Sequence, residues 1–384
     1  MKLLLPMTYY RPYVSGPIIY AENLAQEMLR RGHEVTFLTS RHEPALPGEE
    51  MYGGVRVIRV PVAARLSKGV LMPRFPGMAW RCIQSHDAVL IQAPQFEAPL
   101  LAALALLAGK PSVLTYHCDV QLPPGLWNRV VTAGMVALHL AASLLVSRVV
   151  AYTEDYALHS PVMKRFPGKV TVIPPPVGIP PASEEQVNDF MRQHGLHRGS
   201  VIGIAARAAT EKGFEHLLDA IPLLADRFPD LKVLHAGEAG RVIGEESYHR
   251  FLRDKIERQK RYWVSLGVLD RVEMAVFLSA CDVTVLPSLN RTESFGLVQV
   301  ESMLCGTPVV ASDLPGVRVP VRTTGMGRIV PPGDTEALAR AISEVLSAPD
   351  SFRAPREIVE AEYSFRRTAE GYEELLNRLA VPRK

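Results

Sequence analysis

The sequence predicts an α/β protein made of two doubly wound, Rossmann-like units that face each other across a cleft. Three observations predict it. Short apolar or β-branched runs alternate with helix-length amphipathic segments, the pattern of a parallel sheet with crossover helices. The alternation halts at a proline-rich stretch, "IPPPVGIPP", Ile173 to Pro181, and then begins again. A chain of 384 residues exceeds one ordinary core, and an apolar content of 47% is enough for two.

In the first unit the expected strands are "KLLLPM", "HEVTFLTS", "VRVIRV", "DAVLIQA", "SVLTYHC", "RVVAYT" and "KVTVIP". Helices fall between most of them, such as "YAENLAQEMLRRG", which Gly32 closes. Between Arg129 and Arg148 lie eighteen uncharged residues, at the lower limit of a membrane span. Thr132, His139, Ser143 and Ser147 make it a poor span, so a helix buried in the core is expected. The prolines after Ile173 can continue neither a helix nor a central strand, and they read as a stiff connector and hinge. In the second unit the expected strands are "SVIGIAAR", "LKVLHAG", "RVEMAVF", "VTVLPS" and "TPVVAS". The expected organisation is 1–176 for the first unit, 177–360 for the second, and 361–384 as a helix that packs back towards the first.

The charge balance narrows the function. With 43 basic and 40 acidic residues the net charge is +3, which argues against a protein that coats nucleic acid. Cys82, Cys118, Cys281 and Cys305 show neither ligand spacing nor a disulfide framework, and they read as core residues in a reducing compartment. Met1 to Leu5 runs into a strand with no cleavage pattern, so a cytoplasmic protein is expected.

Ligands of such sheets bind beyond the carboxyl ends of the strands. There the second unit opens with "IAARAATEKGFEHLLDA", which sets Arg207 and Lys212 at a strand-to-helix turn. Two cations beside a helix N-terminus suit a pyrophosphate. Further on, "NRTESFGLVQVESMLCGTPVV" carries Glu293 and Glu301 on either side of a helix start. The backbone amides near Phe295, Gly296 and Leu297 suit a phosphate or a sugar hydroxyl, and a carboxylate one to two turns on can accept two vicinal hydroxyls. Together these features describe a nucleotide that carries a sugar.

The run from Glu293 to Glu301, the Arg207 and Lys212 pair, "CDVTVLPS" before them and "GTPVVAS" after them resemble the retaining glycosyltransferases of the GT-B fold, family 4. "RGHEVTFLTS" and "TYHCD" extend the resemblance over nearly the whole chain. It implies that Glu293 holds hydroxyls of the transferred sugar and Glu301 the ribose. Phe295, Gly296 and Leu297 would meet sugar and phosphates through their backbone, and Arg207 and Lys212 would neutralise the departing diphosphate. His117 corresponds to the family's histidine beside the reacting sugar, and Asp119 would orient it or the acceptor. Fixed cations and amides can stabilise such a leaving group without a metal. No Asp-x-Asp motif is present in the sequence, so neither a metal nor a further cofactor is expected. The first-unit loop departs from the family pattern. It reads Ser15, Gly16, Pro17, where Gly16 still permits close approach and Pro17 offers no N–H.

From Met51 to His86 there is no acidic residue, while Arg56, Arg59, Arg65, Lys68, Arg74 and Arg81 are interleaved with Leu71, Met72, Phe75 and Trp80. Arg65, Lys68, Arg74, Phe75 and Trp80 are therefore expected to meet a lipid acceptor or an anionic membrane surface, with the protein peripheral on the inner face. A soluble saccharide or small-molecule acceptor, or a nucleotide-sugar binder or epimerase that transfers nothing, is the alternative. A dehydrogenase would need a Gly-x-Gly-x-x-Gly turn, and "HAGEAGRVIG" has the wrong spacing. "AGKPS" lacks the upstream glycine of a phosphate-loop NTPase.

Overall fold

A computed structural model describes residues 1–66, 69–122, 125–240 and 245–380. Lys68 lies outside the described residues. In chain order the first elements are β1 (Lys2–Pro6), α1 (Gly16–Arg30), β2 (Glu34–Arg41), β3 (Glu49–Tyr52), β4 (Val55–Pro61), β5 (Ala64–Leu66), β6 (Gly69–Leu71) and α2 (Phe75–Ser85). There follow β7 (Ala88–Ala93), α3 (Ala98–Leu107), β8 (Ser112–Tyr116), α4 (Leu126–Leu145), β9 (Arg148–Ala151), α5 (Glu154–His159) and β10 (Val170–Val172). After the prolines come α6 (Glu184–His194), β11 (Val201–Ala205), α7 (Phe214–Ala225), β12 (Lys232–Ala236), α8 (Glu246–Arg258), β13 (Trp263–Gly267), α9 (Arg271–Ala280) and β14 (Val283–Leu286). The remainder is α10 (Leu297–Leu304), β15 (Val309–Ser312), α11 (Arg318–Thr324), β16 (Gly327–Val330), α12 (Thr335–Ser347), α13 (Arg356–Tyr363) and α14 (Phe365–Ala380).

The chain forms two compact units, Met1–Pro176 with Ser364–Lys384, and Val177–Tyr363. The second unit thus runs past the expected 360. Val359 and Tyr363 of α13 are buried in it, and the Tyr363 ring meets Phe295 edge-on at 5.5 Å.

The first sheet has the order β10-β9-β8-β7-β1-β2-β4-β3, parallel except for the edge pair β3 and β4. Its central strands β7 and β8 are buried throughout, as strands covered on both faces must be. α14 packs against α1 within this unit. There the Tyr372 hydroxyl lies 2.8 Å from that of Tyr20 and 2.7 Å from that of Thr115, and Glu373 pairs with Arg31 at 2.6 Å.

The second sheet is wholly parallel, in the order β13-β12-β11-β14-β15-β16. One expected strand is a helix. "RVEMAVF" opens α9, because Asp270 accepts from the amides of Val272 and Glu273 while Glu273 caps the Asp270 amide, a complete capping box. The strand in its place is β13, "WVSLG".

The apolar helix α4 also departs from expectation. Only 22% of its most apolar window is buried, so it is not a core helix. His139 and Ser143 face the core, while Leu126, Trp127, Val130 and Leu144 face outwards.

Candidate active site

In the second unit the chain leaves β11, passes Arg207, and makes a single 3-10 turn, Thr210–Lys212, before α7. Gly213 closes that turn at φ +66°, and a Cβ there would stand 2.2 Å from the Pro287 carbonyl oxygen. Only glycine lets this turn lie against the end of β14. The result is a contact between Lys212 Nζ and Glu293 Oε2 at 2.6 Å, with both side chains largely shielded from solvent. Arg207 Nη2 reaches Glu211 Oε1 at 3.1 Å and stays half exposed. The two predicted cations are therefore already met by carboxylates that hold them in place.

After β14 the Asn290 side chain accepts from the Thr292 amide at 3.0 Å, a side-chain turn that leads into Glu293. Gly296 then starts α10 at φ +74°, and a Cβ there would meet Leu286 Cδ2 at 2.2 Å. Of the first-turn amides that follow, that of Gln299 donates to the Gly296 carbonyl at 3.0 Å, while those of Leu297 and Val298 precede any acceptor within the helix and make its N-terminus electropositive. Gly296→Ala is expected to cost about 2 kcal/mol or more of stability from positive φ and overlap together, read as a shifted denaturant midpoint. Phe295 is buried, so what it can offer a ligand is backbone. Glu301 sits one turn into α10, where burial pushes its carboxyl up to about 7, against a smaller lowering by Arg271. Arg207, Lys212, Glu293, Phe295, Gly296, Leu297 and Glu301 are thus all brought to the carboxyl ends of β11 and β14 or to the helices that follow them.

In the first unit His117 follows β8 directly and is buried. Gln92 fixes its state: the Gln92 amide N–H donates to the Leu90 carbonyl at 2.9 Å, so Oε1 faces His117 Nε2, also at 2.9 Å. Nε2 therefore carries the proton, and Nδ1 accepts from the Tyr152 hydroxyl. Burial lowers the imidazole to about 3, which leaves it neutral near pH 7. Tyr20 meets the ring edge-on at 5.0 Å. Asp119 is engaged elsewhere. Its Oδ1 accepts from Tyr116 at 2.9 Å and Ser160 at 2.8 Å, and its amide donates to Tyr156 at 2.6 Å.

His117 opens on a cavity of about 130 Å³, which Thr8, Tyr9, Tyr13, Ser15, Gln92 and Gln95 also line. Gly16 begins α1 beside it, and a Cβ at Gly16 would meet nothing within 4 Å. The fold itself does not demand glycine there. Gln92, Tyr152 and Tyr20 carry no motif. The one legible signal is a polar or aromatic residue at the carboxyl end of an apolar strand, as in "DAVLIQA" and "RVVAYT".

The residues expected at an acceptor or membrane divide. Arg65 and Arg74 are exposed and Trp80 is half-buried. Phe75 and Met72 lie in the core beneath α2, which removes them from any bilayer. Arg56 and Arg59 are paired with Glu49 and Glu50 at 2.7 and 2.6 Å.

The two units match two family descriptions in turn. Residues 15–176 match the "Glycosyl transferase 4-like domain", and residues 187–363 match "Glycosyl transferases group 1". The chain belongs to the group 1 glycosyltransferases, with the GT-B fold. It is similar to the phosphatidyl-myo-inositol mannosyltransferase of Mycobacterium tuberculosis H37Rv, 29% identical over 332 residues, which cover 85% of this chain and 81% of that one. The D-inositol 3-phosphate glycosyltransferase of Jonesia denitrificans is also 29% identical, over 82% of this chain and 79% of its own. Among solved structures, sucrose-phosphate synthase from Thermosynechococcus elongatus superposes with a TM-score of 0.76 at 21% identity, over 98% of each chain. Anabaena Alr3699/HepE, solved with UDP-glucose, gives 0.75 at 21% identity, over 98% of this chain and all of the other. These structural matches speak for the fold.

Proposed function

We propose that this glycosyltransferase moves a hexosyl group from a UDP- or GDP-sugar to a hydroxyl of a lipid or lipid-linked acceptor, with retention at the anomeric carbon and without a metal. The observation that carries the reading is the Lys212–Glu293 pair beside the N-terminus of α10, with Arg207 on the same strand ends. A cation, first-turn amides and a carboxylate close together supply what a diphosphate and a sugar hydroxyl each need. The acceptor oxygen bonds to the anomeric carbon on the face from which the diphosphate leaves. The bond from that carbon to the phosphate oxygen breaks, and the departing oxygen takes the acceptor's proton. Lys212, Arg207 and the α10 amides hold the charge that gathers on the leaving group. Glu301 accepts the ribose hydroxyls, and neutral His117, its ring held by Gln92 and Tyr152, stands beside the sugar as a fixed, uncharged wall. The lipid part of the reading draws on the phosphatidyl-myo-inositol mannosyltransferases, and with it goes a cytoplasmic enzyme at the membrane surface. The small cavity beside His117 favours a second reading, a soluble polyol or saccharide acceptor, in keeping with the inositol phosphate named for another relative.

The test is a melting-temperature panel with UDP, GDP, ADP and their sugar conjugates, followed by transfer assays with phosphatidylinositol and with free inositol phosphate. A ligand of the folded state raises the melting temperature by mass action. One nucleotide series should do so, and the product should keep the donor's anomeric configuration by NMR. An inverted product would end the retaining reading. Stabilisation by none of the nucleotides would end the donor reading.

A further inference from the structure

α4 is apolar on both faces, with Met135 and Ala142 buried on the inner one, where a surface helix is usually polar on the outer one. Its inward residues include His139 and Ser143, both buried. Its outward positions, Leu126, Val130, Ala133, Ala137, Ala141 and Leu144, recur at helical spacing and are all apolar. Trp127, 75% exposed, stands beside them at the first turn. α3, which packs against α4, continues the face with Leu106 and Leu107, exposed by 59% and 75%. Both helices are crossovers between parallel neighbours, β7 to β8 and β8 to β9, so they run in the same direction on the same side of the sheet.

Between the start of α3 and the end of β9 the exposed charge has one sign. From Ala98 to Thr153 the sequence has Lys110, Arg129 and Arg148, and its sole acid is Asp119, which is 4% exposed. α4 is long and apolar enough to cross a bilayer, yet its two ends are tied to β8 and β9, which pair in register from Val113 with Arg148 to Thr115 with Val150. A spanning α4 would tear that pairing apart, whereas a helix lying in the interface keeps it. A second copy of the chain is the poorer occupant, because its own Lys110, Arg129 and Arg148 would come to a surface that has no exposed acid in this span.

We infer that the outward faces of α3 and α4 dock the protein on an anionic lipid surface, with Trp127 and the leucines inserted among the acyl chains and Arg129, Lys110 and Arg148 at the headgroups. This surface is distinct from the basic stretch between Met51 and His86. Its purpose rests on the lipid-acceptor reading, but its physical basis does not.

The experiment is co-sedimentation of the full chain with phosphatidylcholine vesicles, with and without phosphatidylglycerol, for the wild type, for Trp127→Glu with Leu144→Glu, and for Arg129→Glu with Lys110→Glu. Melting temperature and nucleotide binding of each variant are recorded alongside, and both should match the wild type because the substituted side chains are not in the core. The wild type should bind the anionic vesicles at low salt and release them at high salt. Each double variant should lose about tenfold or more in partition coefficient. A wild type that ignores anionic vesicles overturns the inference, as do apolar-face variants that bind as well as wild type. So does a wild type that self-associates through this face, becomes monomeric in the variants and still ignores lipid. Transfer to phosphatidylinositol in detergent, compared with free inositol phosphate, reports on the acceptor separately. Vesicle binding through α4 with transfer only to the soluble acceptor would sink the lipid-acceptor reading and leave the docking surface standing.

Discussion

Lys212→Met is expected to lower kcat/KM by about 10²–10³, the usual cost of removing one preorganised group from a developing negative charge. Methionine keeps most of the stem's length and packing, so the change isolates the ammonium. In the resting protein that ammonium is 2.6 Å from Glu293 Oε2. The pair acts as one unit, and the Lys212→Met, Glu293→Gln double variant should therefore lose less than the product of the single losses. Arg207 is the more exposed cation, held by Glu211 within the same turn, and Arg207→Ala should cost less. Initial rates over a donor concentration series read all three. A loss below about threefold in Lys212→Met would remove Lys212 from the stabilisation of the leaving group.

Glu301→Gln should divide stability from binding. The Glu301 carboxyl is raised by burial from 4.5 to about 7. Below the unfolded value both states hold the proton and the group contributes nothing. As pH rises towards 7 the native state keeps a proton that the unfolded state has released, so wild-type stability falls through this window. Glutamine removes that cost. The variant should melt like wild type near pH 4.5 and several degrees above it at pH 8. Donor binding should move the other way. A carboxylate accepts two ribose hydroxyls where an amide offers one oxygen, so affinity at pH 8 should fall about tenfold or more. Wild-type affinity should climb with pH through about 7 and the variant's should stay flat. Parallel pH profiles for the two proteins would show that Glu301 does not meet the nucleotide.

Much of the candidate site was legible because its signals are local. Arg207 and Lys212 stand at one strand-to-helix turn, Glu293 and Glu301 stand on either side of a helix start, and a carboxylate on an apolar helix asks for a reason. At "RVEMAVF", expected as a strand, the chain is helical for a local reason. Val272, Ala275, Val276 and Phe277 suit either period over so short a run, and the deciding signal was the Asp270-x-x-Glu273 cap rather than the apolar pattern. Gln92 and Tyr152 were not legible as partners of His117, since Gln92 lies on β7 and Tyr152 follows β9, and they meet it only through the register of the sheet.

By itself the sequence determined the two α/β units, the break after Ile173, and the strand-end turns that gather Arg207, Lys212, Glu293 and Glu301, because each of these follows from residues close together in the chain. Tertiary structure alone decided how those residues are paired and protonated. It closed Lys212 onto Glu293, fixed the His117 proton on Nε2 and raised the Glu301 carboxyl, since pairing and desolvation depend on neighbours distant in sequence. It also decided which side of α4 faces water. Apolar composition reports that a helix wants to leave water, but only the surrounding fold says whether another part of the protein is there to receive it.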